Sequence, residues 1–310
     1  MELIKPIKLL VVGGNGFIGR HVVKHAIGLG WKVTSLNVSL PRGGQESLSG
    51  AHHLSADISD GDTLKSALRD TSFEYVVNCG GYIDHTLFFS GGRKVFDTHF
   101  GGVLNLVEIL NRKVLQAFVN IGSSDEYGNS PTPQAETQRE APISPYSLGK
   151  SAATHLLQML HRTENFPSTT LRLFLTYGPG QDNRRFLPQI IRGCLAGRSF
   201  PTSEGQQLRD FCYIQDIVEA VFVALDCSAA RGEVINIGSG QPISIREIIE
   251  NVRKLIGKGI PRFGEMAYRP GENMSLYADI SKAKALLNWK PKVSIEVGLN
   301  KTIQWIKDRT

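Results

Sequence analysis

Apolar and polar residues follow two rhythms along the chain. Short apolar runs at residues 8–12, 32–36, 75–78, 117–121 and 169–174 are bounded by Gly, Asn or charged positions, and they predict buried strands. Between them, residues 18–29, 61–68, 92–110 and 146–163 repeat apolar positions every three or four residues and predict helices. Strand and helix alternating in this way argue for an α/β fold with a parallel sheet covered on both faces. After about residue 176 the pattern changes to short strands, Pro/Gly-rich loops and helices at 186–195, 214–225, 245–256, 281–286 and 295–307.

A glycine loop gives the first half of this pattern a use. The strand at 8–12 runs into Gly13-Gly14-Asn15-Gly16-Phe17-Ile18-Gly19, and a helical pattern follows at once. Glycines there allow a tight turn and let backbone N–H groups approach a pyrophosphate, which sits at the positive end of the helix dipole. Strand, loop and helix in this order predict a nicotinamide dinucleotide site in a Rossmann-type doubly wound sheet. The expected organisation is a cofactor-binding domain over residues 1–176, with about 212–237 returning to it. Residues 177–310 would form mainly a smaller α/β substrate-binding domain over the carboxyl ends of the strands.

Composition narrows the class. The chain has 310 residues, of which 41% are apolar and 21% charged, which suits a folded enzyme and disfavours disorder. Its longest apolar runs fall far short of the roughly 20 residues that a bilayer requires. No secretory signal is visible, so the default expectation is a cytoplasmic protein without membrane contact. Cys79, Cys194, Cys212 and Cys227 show no zinc or disulfide spacing and read as reduced and mostly buried. The net charge of +6 comes without a basic run of the kind that binds nucleic acid; it suits a small anionic ligand or a solvated surface.

The candidate chemistry centres on Tyr146 and Lys150, four residues apart on one predicted helix face. A free phenol has a pKa of about 10, and a nearby ammonium lowers it toward the range where Tyr146 can exchange a proton with an alcohol. Ser123 can hydrogen-bond the same substrate oxygen. At the end of the second strand, about 20 residues beyond the glycine loop, an acid usually grips the adenosine ribose, but this chain has Asn37. Asn does not repel a 2′-phosphate, and Ser39 and Arg42 lie near in sequence, so NAD and NADP both remain open; Arg42 reads equally as a surface charge. Asp57 either approaches the adenine or caps a helix.

These features, taken in order, resemble the extended short-chain dehydrogenase/reductase family, in particular its nucleotide-sugar epimerases and dehydratases. The resemblance rests on Gly13 to Gly19, Ala56-Asp57, Asn78-Cys79-Gly80-Gly81, Gly122 to Gly128, Tyr146 to Lys150, Tyr177-Gly178-Pro179-Gly180, Arg209-Asp210-Phe211, Arg269-Pro270-Gly271-Glu272 and Asn288-Trp289-Lys290-Pro291. It implies cofactor contacts from Gly13, Gly16, Phe17, Ile18, Gly19, Asn37, Arg42, Asp57, Ile58, Cys79 and Gly80. It makes Tyr146 the acid/base group, Lys150 its activator and a ligand of the nicotinamide ribose, and Ser123 a partner of the reacting sugar oxygen. Arg209 and Arg269 would clasp the substrate diphosphate, with ion pairs to Asp210 or Glu272 as the competing role. A homodimer through helices 92–110 and 146–163 is implied as well.

The departures bear on the reaction. Ser123-Ser124-Asp125 stands where dTDP-glucose dehydratases place Thr-Asp-Glu, so the Asp acid is missing, while Asp125 either serves as a base or orients its loop. Leu175 and His99 replace frequent Asn residues, and Asp84, His85 and Ser124 are candidate sugar contacts. The leading expectation is an epimerase or 4-ketoreductase acting at C4 of a nucleotide-linked hexose. A 4,6-dehydratase using Asp125 is the alternative, and a dinucleotide sensor without turnover is a third possibility.

Overall fold

The computed structural model describes residues 6–40, 48–268 and 271–309. Seven strands form the main sheet: β1 (Lys8–Val12), β2 (Lys32–Asn37), β3 (Ala51–Ser55), β4 (Tyr75–Asn78), β5 (Ala117–Ser123), β6 (Ser168–Leu173) and β10 (Val234–Ile237). Their order is β10-β6-β5-β4-β1-β2-β3, and β1 pairs in parallel with both β2 and β4. Strands β2–β3 and β4–β5 are parallel too. The expected α/β doubly wound sheet is therefore present. Every residue of β5 and β6 is buried, as befits central strands covered on both faces.

The remaining strands are β7 (Leu175–Tyr177), β8 (Ser199–Pro201), β9 (Leu208–Tyr213), β11 (Pro242–Ser244), β12 (Ile260–Arg262) and β13 (Ser275–Leu276). β9 is flanked by β11, β13 and β7, while β8 pairs with β12. The helices are α1 (Phe17–Gly28), α2 (Gly61–Ala67), α3 (Arg93–Phe96), α4 (Gly102–Ile109), α5 (Pro145–Glu164), α6 (Phe186–Leu195), α7 (Ile214–Asp226), α8 (Ile245–Ile256), α9 (Ser281–Leu287) and α10 (Ile295–Lys307).

Two compact units result. One comprises Met1–Gly128, Arg139–Arg172 and Val218–Ile235; the other comprises Asn129–Gln138, Leu173–Ile217 and Asn236–Thr310. In the first, Leu10, Val12, Leu36, Val76, Phe118 and Leu157 join helices and sheet in one buried cluster. In the second, α6 packs against α8 and α10. Its Asp210 is buried and accepts from Ser239, Gly240 and Ala278 backbone N–H groups, which ties the loop after β10 and the segment after β13 to β9.

Local signals set the helix ends. Ser144 begins α5, accepting from the Ser147 N–H in a capping box with Pro145 at the first helical position. Asn165 closes α5 in the left-handed region. Two features depart from the expected pattern. Residues 51–55, Ala-His-His-Leu-Ser, form edge strand β3 with no fully buried residue, so no apolar run announced it. The helix expected at 92–110 is interrupted: a π-helical turn at Asp97–Gly101 separates α3 from α4. Such wide turns concentrate at functional sites.

Candidate active site

The strand order reverses at β1 and β4, the place where an open α/β sheet opens a crevice at its carboxyl ends. Gly13 follows β1 with φ of 72°, and its N–H donates to the Leu36 carbonyl at 2.7 Å. A Cβ on Gly13 would lie 2.8 Å from the Cys79 carbonyl oxygen, so the loop passes too close to the end of β4 for any side chain. The Gly16 N–H closes the turn on the Gly13 carbonyl at 2.9 Å, and α1 starts there without a side-chain cap. A Cβ on Gly19 would strike the Gly13 backbone. This backbone cradle at an uncapped helix start fits a dinucleotide pyrophosphate, with Phe17 and Ile18 in the first turn of α1.

Asn37 has a definite task. Its Oδ1 accepts the Asn15 N–H at 2.8 Å and its Nδ2 donates to Ser35 Oγ at 3.0 Å, which fastens the glycine loop to β2. Asp57 accepts from the N–H and hydroxyl of Ser59 at 2.9 and 2.7 Å; of its two readings, the helix cap belongs instead to Asp60, which receives the Asp62 and Thr63 N–H groups. Ile58 is buried, while Asn78 Oδ1 receives the Gly80 N–H at 3.0 Å. Burial pushes the Cys79 thiol up to about 12, against a lowering by Lys150, so it stands protonated. Arg42 lies outside the described residues.

Beside this cradle, α5 packs on β5 and carries Tyr146 and Lys150 on one face. Lys150 Nζ donates to the Ile121 carbonyl at 2.6 Å, two residues before Ser123 ends β5. Burial lowers the Lys150 pKa from 10.5 to about 8, while Glu126 and Cys79 pull it upward. Tyr146 is 5% exposed and lies between two imidazoles in edge-on contact, His99 at 4.9 Å and His85 at 5.7 Å between ring centroids. Ser123 Oγ accepts the Asp125 N–H at 3.1 Å, which turns the hydroxyl oxygen into the start of a short helical turn.

His99 sits in the π-helical turn and its Nε2 meets the Tyr82 carbonyl at 2.8 Å. A carbonyl only accepts, so Nε2 carries the proton. Burial, then Lys150, lowers its pKa to about 3, which keeps the ring neutral. Gly81, with φ of 104°, lies against that ring and has no room for a Cβ. In the following segment Asp84 bonds to the Thr86 N–H and hydroxyl at 2.8 and 2.6 Å, and this holds its carboxyl below the usual range. His85 Nε2 lies 3.8 Å from Asp125 Oδ2, so Asp125 joins the Tyr146 neighbourhood through His85. Ser124 is buried in the turn after β5.

Sequence reasoning missed the group beneath this site. Glu126 is fully buried and accepts the Ser123 N–H at 2.8 Å, the Thr154 hydroxyl at 2.9 Å and Arg172 Nε at 2.9 Å. Arg172 also reaches Glu140 at 2.5 Å, and its guanidinium stands 4.6 Å over the Tyr127 ring. The available signal was Arg172 itself, a lone charge between two leucines of a buried strand.

In the second unit, Arg209 is ion-paired with Glu272 and donates to the Leu208 carbonyl at 2.8 Å. The competing salt bridge with Glu272 is thus present, while Asp210 accepts from the backbone N–H groups of Ser239, Gly240 and Ala278 and from the Ser239 hydroxyl. Arg269 lies outside the described residues. Leu175 begins β7 opposite Phe211 of β9. Among the described residues, no cluster of three or more His, Cys, Asp or Glu could hold a metal, and no helix is long and apolar enough to cross a membrane.

Residues 9–238 match the NAD dependent epimerase/dehydratase family. The chain belongs to that family. Among its relatives, a dTDP-glucose 4,6-dehydratase of Xanthomonas campestris pv. campestris is 29% identical over 96% of this chain and 92% of its own. A UDP-glucuronate 4-epimerase of Thermodesulfobacterium geofontis is 31% identical over 81% and 78%. A solved UDP-glucuronic acid 4-epimerase from Bacillus cereus, in complex with UDP-glucuronic acid and NAD, superposes with a TM-score of 0.87 at 29% identity, covering 98% of this chain and all of that one. As a member of the NAD dependent epimerase/dehydratase family the protein is an enzyme of NAD-linked nucleotide-sugar chemistry.

Proposed function

We propose that this protein acts at C4 of a nucleotide-diphosphate hexose as an epimerase or 4-ketoreductase. The observation that carries the reading is Tyr146 and Lys150 on one buried face of α5, with Lys150 bonded to β5 two residues before Ser123. The bound nicotinamide supplies the hydride acceptor or donor. Ser123 Oγ orients the sugar oxygen, Tyr146 takes or returns its proton, and the Lys150 ammonium stabilises the phenolate. Tyr146 is buried beside His99 and His85, so little water reaches the phenol.

A second reading, a 4,6-dehydratase, is favoured by one observation: Asp125 stands beside His85, which packs on Tyr146, and offers a carboxylate for the C5 proton. Substrate contacts by Ser124 and Asp84 belong to the same proposal. Arg209 joins them by exchanging Glu272 for a phosphate oxygen, a planar guanidinium suiting either partner. A homodimer is part of the reading too, since α5 exposes Leu148 and Met159 on the side away from its buried residues; sedimentation checks it.

The deciding experiment incubates the protein with UDP- and dTDP-hexoses, and separately with a 4-keto nucleotide sugar plus NADPH, and follows products by mass and NMR. A C4 epimer or a reduced 4-keto sugar supports the first reading, and a 4-keto-6-deoxy sugar the second. No turnover with any nucleotide sugar, despite bound cofactor, refutes both in favour of a dinucleotide sensor. Nucleotide released on denaturation separates tightly held NAD, as an epimerase or dehydratase needs, from an exchangeable NADPH.

A further inference from the structure

Glu126 has no part in the reaction proposed above, yet its buried carboxylate accepts from three groups next to it. One oxygen receives the backbone N–H of Ser123, and the other receives Thr154 and Arg172. Thr154 lies one turn beyond Lys150 and two beyond Tyr146, on the same face of α5. The carboxylate therefore bonds directly to both elements that carry the reacting groups. It also packs under Gly122, where a Cβ would lie 2.7 Å from Oε1.

A structural role alone would be met more cheaply. A buried Glu–Arg pair stabilises weakly at best, because desolvation offsets its attraction, and neutral packing often replaces it without loss. Here both side chains are 0% exposed, and Arg172 is further held by Glu140 and Tyr127. So much polar wiring in a core needs another use. The ammonium of Lys150 supplies one: it is buried and, among the described residues, donates to the neutral Ile121 carbonyl, a setting that favours loss of its proton.

We infer that Glu126 is a positioning residue with two effects: it sets the Ser123 amide and α5 in mutual register, and its negative charge keeps Lys150 an ammonium. This rests on the reading of Ser123, Tyr146 and Lys150 as the reacting group. The groups acting on Lys150 are few. Glu126 and Cys79 both favour its charged form, and the Cys79 thiol is protonated, so Glu126 is the carboxylate that counts. His99 is neutral and contributes no charge, and the Tyr146 phenol is one turn away on α5.

Two variants separate the effects. Glu126→Gln/Arg172→Met keeps an acceptor for the Ser123 amide and removes both charges from the core. Thr154→Val removes only the bond to α5 and is close to isosteric. The Lys150 titration is followed directly by 13C NMR of lysine side chains, assigned with Lys150→Met, and needs no substrate. In the double variant its midpoint should fall, by up to about one pH unit because the opposing Arg172 charge leaves with that of Glu126, and the alkaline limb of kcat/KM should fall with it. In Thr154→Val the midpoint should hold while kcat drops several-fold with KM unchanged. A midpoint unmoved in the folded double variant overturns the electrostatic effect. Should that variant not fold, Thr154→Val decides alone, and a wild-type kcat there overturns the inference. A wild-type enzyme that turns over no nucleotide sugar would instead refute the proposed function, and the Lys150 midpoint would still report on Glu126.

Discussion

Helix α1 contains two glycines that the same substitution should affect in opposite directions. A Cβ on Gly19 would strike the Gly13 carbonyl oxygen and lie 2.8 Å from both Gly13 C and Gly14 Cα. Carbon atoms rest about 3.5 Å apart, so loop and helix must separate by roughly 0.7 Å. Every atom in the way is backbone, and none can rotate aside. The loop cannot drift freely either, because Gly13 and Gly16 are bonded to Leu36 and Gly13 at 2.7 and 2.9 Å. Gly19→Ala should therefore cost about 1–3 kcal/mol as an overpacked site, which lowers Tm by several degrees. Displaced N–H groups should also weaken NAD binding by roughly 10- to 100-fold, the loss of one hydrogen bond to a charged group. At Gly28 a Cβ meets nothing within 4 Å and the backbone is helical, so Gly28→Ala should stabilise by about 0.5–1 kcal/mol. Scanning calorimetry and NAD titration calorimetry on both variants test the argument. A Gly19→Ala protein with wild-type Tm and NAD affinity, or a Gly28→Ala protein equally destabilised, would refute it.

Other consequences are as direct. Tyr146→Phe should lower kcat by about 10²–10⁴-fold while NAD binding stays near wild type, measured by steady-state kinetics and calorimetry. Lys150 has its folded pKa lowered from 10.5 to about 8. Activity should fall above about pH 8 as the ammonium is lost, whereas this group's contribution to stability rises from about pH 8 to 10.5, because the unfolded chain holds the extra proton there. His99 is lowered from 6.5 to about 3, so stability should fall as pH drops through that window, and His99→Asn should flatten part of the slope in urea melts at several pH values. Arg172→Met alone leaves the Glu126 carboxylate buried beside fewer partners and should cost about 3–5 kcal/mol by denaturant unfolding.

The sheet was legible because β1, β4 and the helices α6, α8 and α10 are long or flanked by clear signals, and their predicted bounds coincide with those observed. β3 was not, since a half-exposed edge strand reading Ala-His-His-Leu-Ser carries no apolar run. The π-helical turn depends on His99 fitting the Tyr82 carbonyl and Gly81, a fit across 17 residues that periodicity does not encode. In the site, Ser123, Tyr146, Lys150 and the glycine loop were readable from spacing and strand context. Glu126 was not: its partners Thr154 and Arg172 lie 28 and 46 residues away, and only the folded sheet brings them to one carboxylate. Asn37 stands where the ribose acid was expected, and its amide is committed to the Asn15 N–H and Ser35, which a single residue identity could not reveal.

The order of the main sheet has a consequence for synthesis. β6 is complete at Leu173, but its outer neighbour β10 begins only at Val234. During translation, some sixty residues therefore emerge while the fully buried β6 presents an open hydrogen-bonding edge, the kind of edge that pairs with other chains. The ribosome must deliver all of α6 through α7 before the first unit can close on itself. A chain cut after β6 would keep the glycine loop, Tyr146 and Lys150 yet leave that edge permanently unprotected, an aggregation hazard rather than a minimal enzyme.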